Sequence, residues 1–469
     1  MTKLKERAAS WISKQAQKRA PVSDENPFLE GQFAPVEVET TSTQLDVIGT
    51  IPAELNGVLA RIGPNPIEVP NPATYHWFVG DGMVHGVRLR DGKALWYRNR
   101  WVGTDKANKA LGRPLVPGQR HGIVDAVNTN IIGHGGRLWA LVEAGAVPVE
   151  MNFELDSVKH GLFDHDQPGP FSAHPHLDPH TGELHAICYN ATQPNQIVYQ
   201  VIDKTCRLTH SVRIPVKHGP MIHDCAITRS KVLILDLPVT FSLRSVLQGA
   251  TFPYHWNPRH AARVGLLPRT GGAKDIRWLH VEPCYVFHTG NARDLENGDV
   301  VVDVVVHERM FDRSIQGPEA QKVTLEQWTL PAQSDTVQRQ VISDRTQEFP
   351  RFDERLTGQD SRYTYTVGSD LANPDSAQPL LRYDMNSGAC EQHLYGNSKI
   401  SGEAVFVPRK VQGDESDGWL LSYVYDVADN SSELVILNAD DISGEPQAVI
   451  KLPVRVPMGF HGNWVPAPE

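Results

Sequence analysis

Several things are scarce in this chain. No apolar run approaches the ~20 residues that a membrane-crossing helix needs, and nothing at the start reads as a signal peptide. There are only five cysteines (Cys188, Cys206, Cys225, Cys284, Cys390), widely spaced and without a C-x-x-C pair. That excludes a thiolate zinc site or a disulfide framework and predicts five buried small hydrophobes in a reducing cytoplasm. Positive charge is also short: 45 basic against 55 acidic residues leave a net charge of −10. A nucleic-acid partner needs a basic face and is excluded on that ground. Coiled-coil heptads, low-complexity tracts, linker-like stretches and a strict repeat are all missing, and so is any Ser-His-Asp or paired-carboxylate constellation.

What is present reads as β-structure. Runs such as KVLILDLPV (231–239) and GDVVVDVVVHERM (298–310) are short, β-branched and bounded by turn residues. RLRDGKALWYRNRWV (88–102), LDPHTGELHAICYN (177–190) and YDMNSGACEQHLYG (383–396) read as strand–turn–strand, with D-G, H-T-G and N-S-G at the corners. Helical periodicity is confined to the N-terminus and to 240–250. Many hairpins without a boundary predict one large all-β closure, a propeller or a barrel.

The first twenty residues differ from the rest. Six basic residues against Glu6 alone give a net of +5, and Leu4, Ala8, Trp11, Ile12 and Ala16 fall at helical spacing. Such a helix either lies on an anionic membrane surface or packs against the body of the protein; residues 1–26 are read as an N-terminal extension and 27–469 as one domain.

Twenty histidines are the main chemical signal. Four crowd into FSAHPHLDPHTGELH (171–185), which raises a local metal site as one reading. His174 of that cluster and three others share a different context, short strand-adjacent motifs: His174 in SAHPHLDP, His223 in PMIHDCAIT, His288 in YVFHTGNA and His461 in GFHGNWVP. Successive members lie 49, 65 and 173 residues apart, which excludes a helical H-E-x-x-H and suits ligands from separate strands.

These four motifs resemble the iron-ligand segments of the carotenoid cleavage oxygenase family, which also includes stilbene-cleaving dioxygenases and a retinoid isomerase. NGVLARIGPNP (56–66), YHWFVGDGMVHGV (75–87), NTNIIGHGGRLWALVEAG (128–145), EFPRFDERLTG (348–358) and GEAVFVPR (402–409) agree in the same order. The resemblance implies a seven-bladed β-propeller with one axial Fe(II), a capping dome of loops and helix, and O2 as co-substrate. It implies His174, His223, His288 and His461 as ligands. Three carboxylates would stand behind them: Glu143 with His223, Glu348 with His288, and Glu403 with His461. His174 would have no carboxylate. Thr129 matches a threonine beside an open metal position; a hydroxyl satisfied by backbone is the other reading. His176 and His180 are assigned to a strand end and turn, His185 to the returning strand. His307 matches no ligand motif and is read as structural.

The reaction implied is oxygen-dependent scission of a C=C bond in an apolar polyene, a carotenoid or apocarotenoid. Stilbenoid or phenylpropanoid cleavage is the alternative. Stilbene-cleaving relatives hold a phenol with tyrosine and lysine; the matching places here carry Trp101 and Val142, which favours the polyene. An isomerase would share the ligands.

Overall fold

The computed structural model describes residues 15–19, 22–23, 25–122, 125–166, 169–314, 316–319, 322–370, 373 and 376–468. Seven sheets form the blades of a propeller. Blade one pairs Gly57–Pro64, Gly82–Arg90 and Lys93–Trp101, with Thr41–Ser42 outside. Blades two to six are four-stranded antiparallel sheets that start at Asn130, His176, Cys225, Tyr285 and Gln347. Blade seven is built on Gly418–Asp426, Ser431–Asn438 and Ala448–Lys451. Local chemistry accounts for the hairpins. Between Gly82–Arg90 and Lys93–Trp101, Asp91 and Gly92 take φ of 50° and 71°, the left-handed pair that a tight two-residue hairpin demands.

The ring closes from both ends. The C-terminal strand Gly462–Pro466 joins blade one at its axial edge, against Gly57–Pro64, while Val47–Gly49 joins the outer edge of blade seven. Closure requires an unusually close backbone approach. A Cβ on Gly63 would lie 2.6 Å from the Cα of Gly459; only glycine fits on both sides of that contact. His461 follows two residues later, so the closing contact also aims a site residue.

Two short helices, Asp105–Ala110 and Leu243–Leu247, are capped by the Thr104 and Ser242 side chains. The second was expected within 240–250; the first was not, because its six residues carry no readable periodicity. Leu243–Leu247 and the flanking ribbon Val239–Phe241/Tyr254–Trp256 leave blade four to form part of the dome. The basic N-terminal helix expected over 1–20 lies outside the described residues except 15–19, of which 15–17 are helical. No helix among the described residues is long and apolar enough to cross a membrane. The expectation of five buried cysteines needs correction: four are buried, but Cys390 is exposed on an outer strand of blade six, where a blade turns one face to water.

The core carries neutral histidines. Burial pushes His76, His85 and His185 down to about 3, helped at His85 by Arg61 and at His185 by Arg269. In the unfolded chain each titrates near 6.5. As pH falls from about 6.5 toward 3, the unfolded state takes up protons that the folded state refuses, so these groups remove stability on acidification and have no effect above that window. The melting temperature at fixed scan rate is therefore expected to fall steadily from pH 6.5 to 4. A flat profile by calorimetry would contradict the burial of these imidazoles as neutral groups.

Candidate metal centre

Each blade brings one site residue to the axis, at or beside the strand nearest it. In blade order from blade one these are His461, Thr129, His174, His223, His288, Glu348 and Glu403. Glu143 comes from the turn after Arg137–Leu141. His288 sits inside its strand, where register shifts on both sides of Thr289 break the ladder with Val300–His307; a bulge of this kind bends the strand and re-aims a side chain. Glu348 is likewise followed by a register shift, before Arg351.

The four imidazoles of His174, His223, His288 and His461 meet with one nitrogen each, all within 4.8 Å of one another. His174, His223 and His461 are buried, and His288 keeps 12% side-chain exposure toward the cavity. Three of the rings are fixed from behind. His223 Nδ1 lies 3.0 Å from a Glu143 oxygen, His288 Nδ1 2.7 Å from Glu348 Oε2, and His461 Nδ1 2.9 Å from Glu403 Oε1. A neutral imidazole that donates Nδ1–H to a carboxylate presents Nε2 as a lone pair. Those lone pairs face one another: His223 Nε2 and His288 Nε2 are 3.3 Å apart, and the buried His174 Nε2 has no hydrogen-bond partner. Converging acceptors with an orphan among them fit a metal cation. No carboxylate among the described residues bonds the His174 ring.

The charges agree with that use. Burial, together with the His223, His461 and His288 rings, holds His174 well below the ordinary histidine range. Burial lowers His461 to about 4 against the opposing pull of Glu403. At His288 burial acts the same way, but the Glu348 carboxylate outweighs it and the net shift is upward. Burial would raise both Glu348 and Glu403. His288 and His307 hold the first well below the carboxylate range, and Arg351, His461 and the Gly462 N–H hold the second there.

Two cavities meet at this cluster. One, of about 700 Å³, is walled by aromatic and aliphatic side chains that include Phe28, Trp77, Phe78, Phe252, Phe287 and Phe460, and it reaches His223, His288, His461, Thr129, Glu143 and Glu348. The other, of about 630 Å³, lies along the propeller axis and is lined by His174, His176, Asp224, Arg351 and Glu403.

A profile of the retinal pigment epithelial membrane protein family matches residues 33–466. A carotenoid cleavage oxygenase of Mycobacterium tuberculosis is 42% identical over an alignment that covers 94% of this chain and 98% of the relative. The chain belongs to the carotenoid oxygenase family. A carotenoid 9,10(9',10')-cleavage dioxygenase of Phaseolus vulgaris is 32% identical over 93% of the chain and 89% of its own length. Among solved structures, a lignostilbene dioxygenase of Pseudomonas brassicacearum superposes with a TM-score of 0.85 at 29% identity, over 95% of this chain and 99% of that one. A cobalt-substituted apocarotenoid oxygenase of Synechocystis gives 0.81 at 26% identity, over 96% and 98%.

Not every expected residue reaches this oxygenase-family site. Val142 lines the apolar cavity, but Trp101 does not. Its indole N–H donates to Asn65 O at 3.0 Å, and its backbone N–H to Glu39. Trp101 ends a strand of blade one, where its side chain is turned into the protein, so it says nothing about a substrate phenol. Thr129 lines the cavity, and its hydroxyl donates to the Asn128 side chain at 2.9 Å rather than to backbone. His176 opens the strand His176–Leu177, His180 sits in the turn, and His185 lies opposite His176 on the returning strand.

The sequence reading missed several neighbours. His307 Nε2 is 2.6 Å from Glu348 Oε1, so one carboxylate bridges two rings. Phe349 takes φ of +57° and stacks on His288 at 5.3 Å; a non-glycine residue in that region costs about 1 kcal/mol or more and recurs at functional sites. Arg351 pairs with Glu403 at 3.1 Å and donates to Gly462 O. Phe349 and Arg351 stood in the EFPRF motif. Nothing local marks His307 in its valine-rich strand.

Proposed function

We propose that this protein is an Fe(II)-dependent dioxygenase that cleaves a C=C bond of a carotenoid or apocarotenoid with O2, giving aldehyde or ketone products. The single observation that carries the reading is the opening of an aromatic-walled cavity onto four converging imidazoles. His174, His223, His288 and His461 are the ligands, and Glu143, Glu348 and Glu403 fix the last three. Iron held this way supplies the activation of O2.

The chain's own residues do the rest. Nearly apolar walls desolvate a polyene and keep bulk water from the reacting bond. Phe78, Phe252 and Phe460 fix its path; Phe78 lies 5.4 Å from Phe252 and 5.3 Å from Phe460, both edge to face. Neutral imidazole donors leave the charge of the site to be balanced by the carboxylates behind them. Thr129, its hydroxyl held by Asn128, lines the cavity beside His461. In this reading residues 27–469 work as one domain, with peripheral membrane contact by residues 1–20 and a cytoplasmic location proposed with it.

Anaerobic reconstitution with Fe(II), then ¹⁸O2 with a panel of carotenoids, apocarotenals and stilbenes, tests the proposal. Labelled carbonyl products of a polyene support it. An isomerised but uncut skeleton would mean isomerase chemistry, and cleavage of hydroxylated stilbenes alone would transfer the site to the stilbenoid reading. Val142→Lys places an ammonium in the apolar wall next to Glu143. It is expected to lower kcat/KM for the polyene by about tenfold or more; unchanged kinetics would put the substrate elsewhere.

A further inference from the structure

We propose that Asp224 is a positioning residue for the metal centre: its carboxylate ties together the three blades that carry His174, His223 and His288. The proposal rests on the ligand assignment above and adds a residue that contacts neither metal nor substrate. Asp224 directly follows His223 and is buried. Its Oδ1 is 2.8 Å from His176 Nε2, two residues after His174 in blade three. Its Oδ2 accepts the Thr289 backbone N–H at 2.8 Å and lies 2.9 Å from the Thr289 hydroxyl, in blade five. Oδ1 also accepts the N–H of Cys225 at 2.7 Å, which locks the carboxylate to its own strand.

The backbone explains why such a clamp is needed. The register shifts that aim His288 inward lie on either side of Thr289 and disturb its pairing with Val300–His307. A buried N–H must be satisfied, and the Asp224 carboxylate of the adjacent blade does it. The bulge that exposes one ligand is thus secured by the residue next to another. Each blade is a separate sheet, so among the described residues no strand ladder ties one of these three blades to the next. Here one buried carboxylate spans three of them within two residues of three ligands.

Cobalt(II) is the probe, added anaerobically to metal-free protein and followed by its visible ligand-field bands. Asp224→Ala is expected to raise the Co(II) dissociation constant by about 10–100-fold and to shift the bands. Asp224→Asn should recover only part of the loss, because its amide oxygen can still accept from Thr289 but the NH2 in place of Oδ1 meets the Cys225 N–H. Asp236→Ala serves as a control for general destabilisation: Asp236 is buried in the same blade, bound to His260 and Arg263. That variant is expected to melt lower with the cobalt spectrum unchanged. Wild-type affinity and spectrum in Asp224→Ala overturn the proposal, and so does a spectral change in Asp236→Ala of the same size. If Asp224→Ala does not fold, His176→Ala removes one arm alone; it should weaken Co(II) several-fold, and no change again overturns the clamp. Full Co(II) binding by His223→Ala would instead overturn the ligand assignment.

Discussion

His223→Ala and His461→Ala are each expected to yield folded protein that retains no metal after dialysis and shows no detectable turnover. Each substitution removes one of four donors and leaves a cavity where the ring stood. It also takes the imidazole partner from a carboxylate, Glu143 or Glu403, although Glu403 keeps Arg351 and the Gly462 N–H. Changing a residue behind a ligand typically costs 10–100-fold in metal affinity or activity, and deleting the ligand itself removes more. Three neutral imidazoles remain with no anionic donor to hold a hard divalent ion. Metal analysis after anaerobic Fe(II) loading checks the outcome, and full occupancy in either variant refutes the ligand set.

Glu348→Gln carries the second largest effect, with most of the fold retained. Glu348 is the junction of the site: one oxygen faces His307, the other accepts from His288 at 2.7 Å and from the Phe349 N–H at 2.6 Å. Glutamine preserves the shape but removes the negative charge and offers an NH2 to one of these partners. If its oxygen serves His288 and Phe349, the NH2 faces His307, which must change tautomer to accept it. The His288 ring, no longer backed by a carboxylate, becomes a weaker donor. Metal affinity or kcat/KM is expected to fall by about 10–100-fold. Wild-type values for both in Glu348→Gln would remove it from the set that supports the ligands.

How far the chain announced this site differs from residue to residue. The D-G turn of blade one and the valine-rich strand of blade five were readable because turn chemistry and β-branching act within a few residues. The four histidine motifs and the three glutamates could be singled out through a family resemblance that the whole-length matches support. The helix Asp105–Ala110 was missed because six residues make too short a period. His307 was dismissed because its partner Glu348 is 41 residues away. Trp101 misled because its motif aligned while its side chain turned inward to Asn65.

By itself, the sequence determined an all-β chain of many hairpins, short of cysteine and positive charge, with four histidines in strand-adjacent motifs. It also held the glycines and turn residues that make each corner possible. Tertiary structure alone decided that residues 49, 65 and 173 positions apart share one axis, that an aromatic cavity opens onto them, and that Asp224 bonds His176 and Thr289, His307 bonds Glu348 and Arg351 pairs with Glu403. The physical reason is ring closure. The direction of every axial side chain depends on how each blade is rotated against the next and on the last strand entering the first blade. These long-range contacts leave no local period to read.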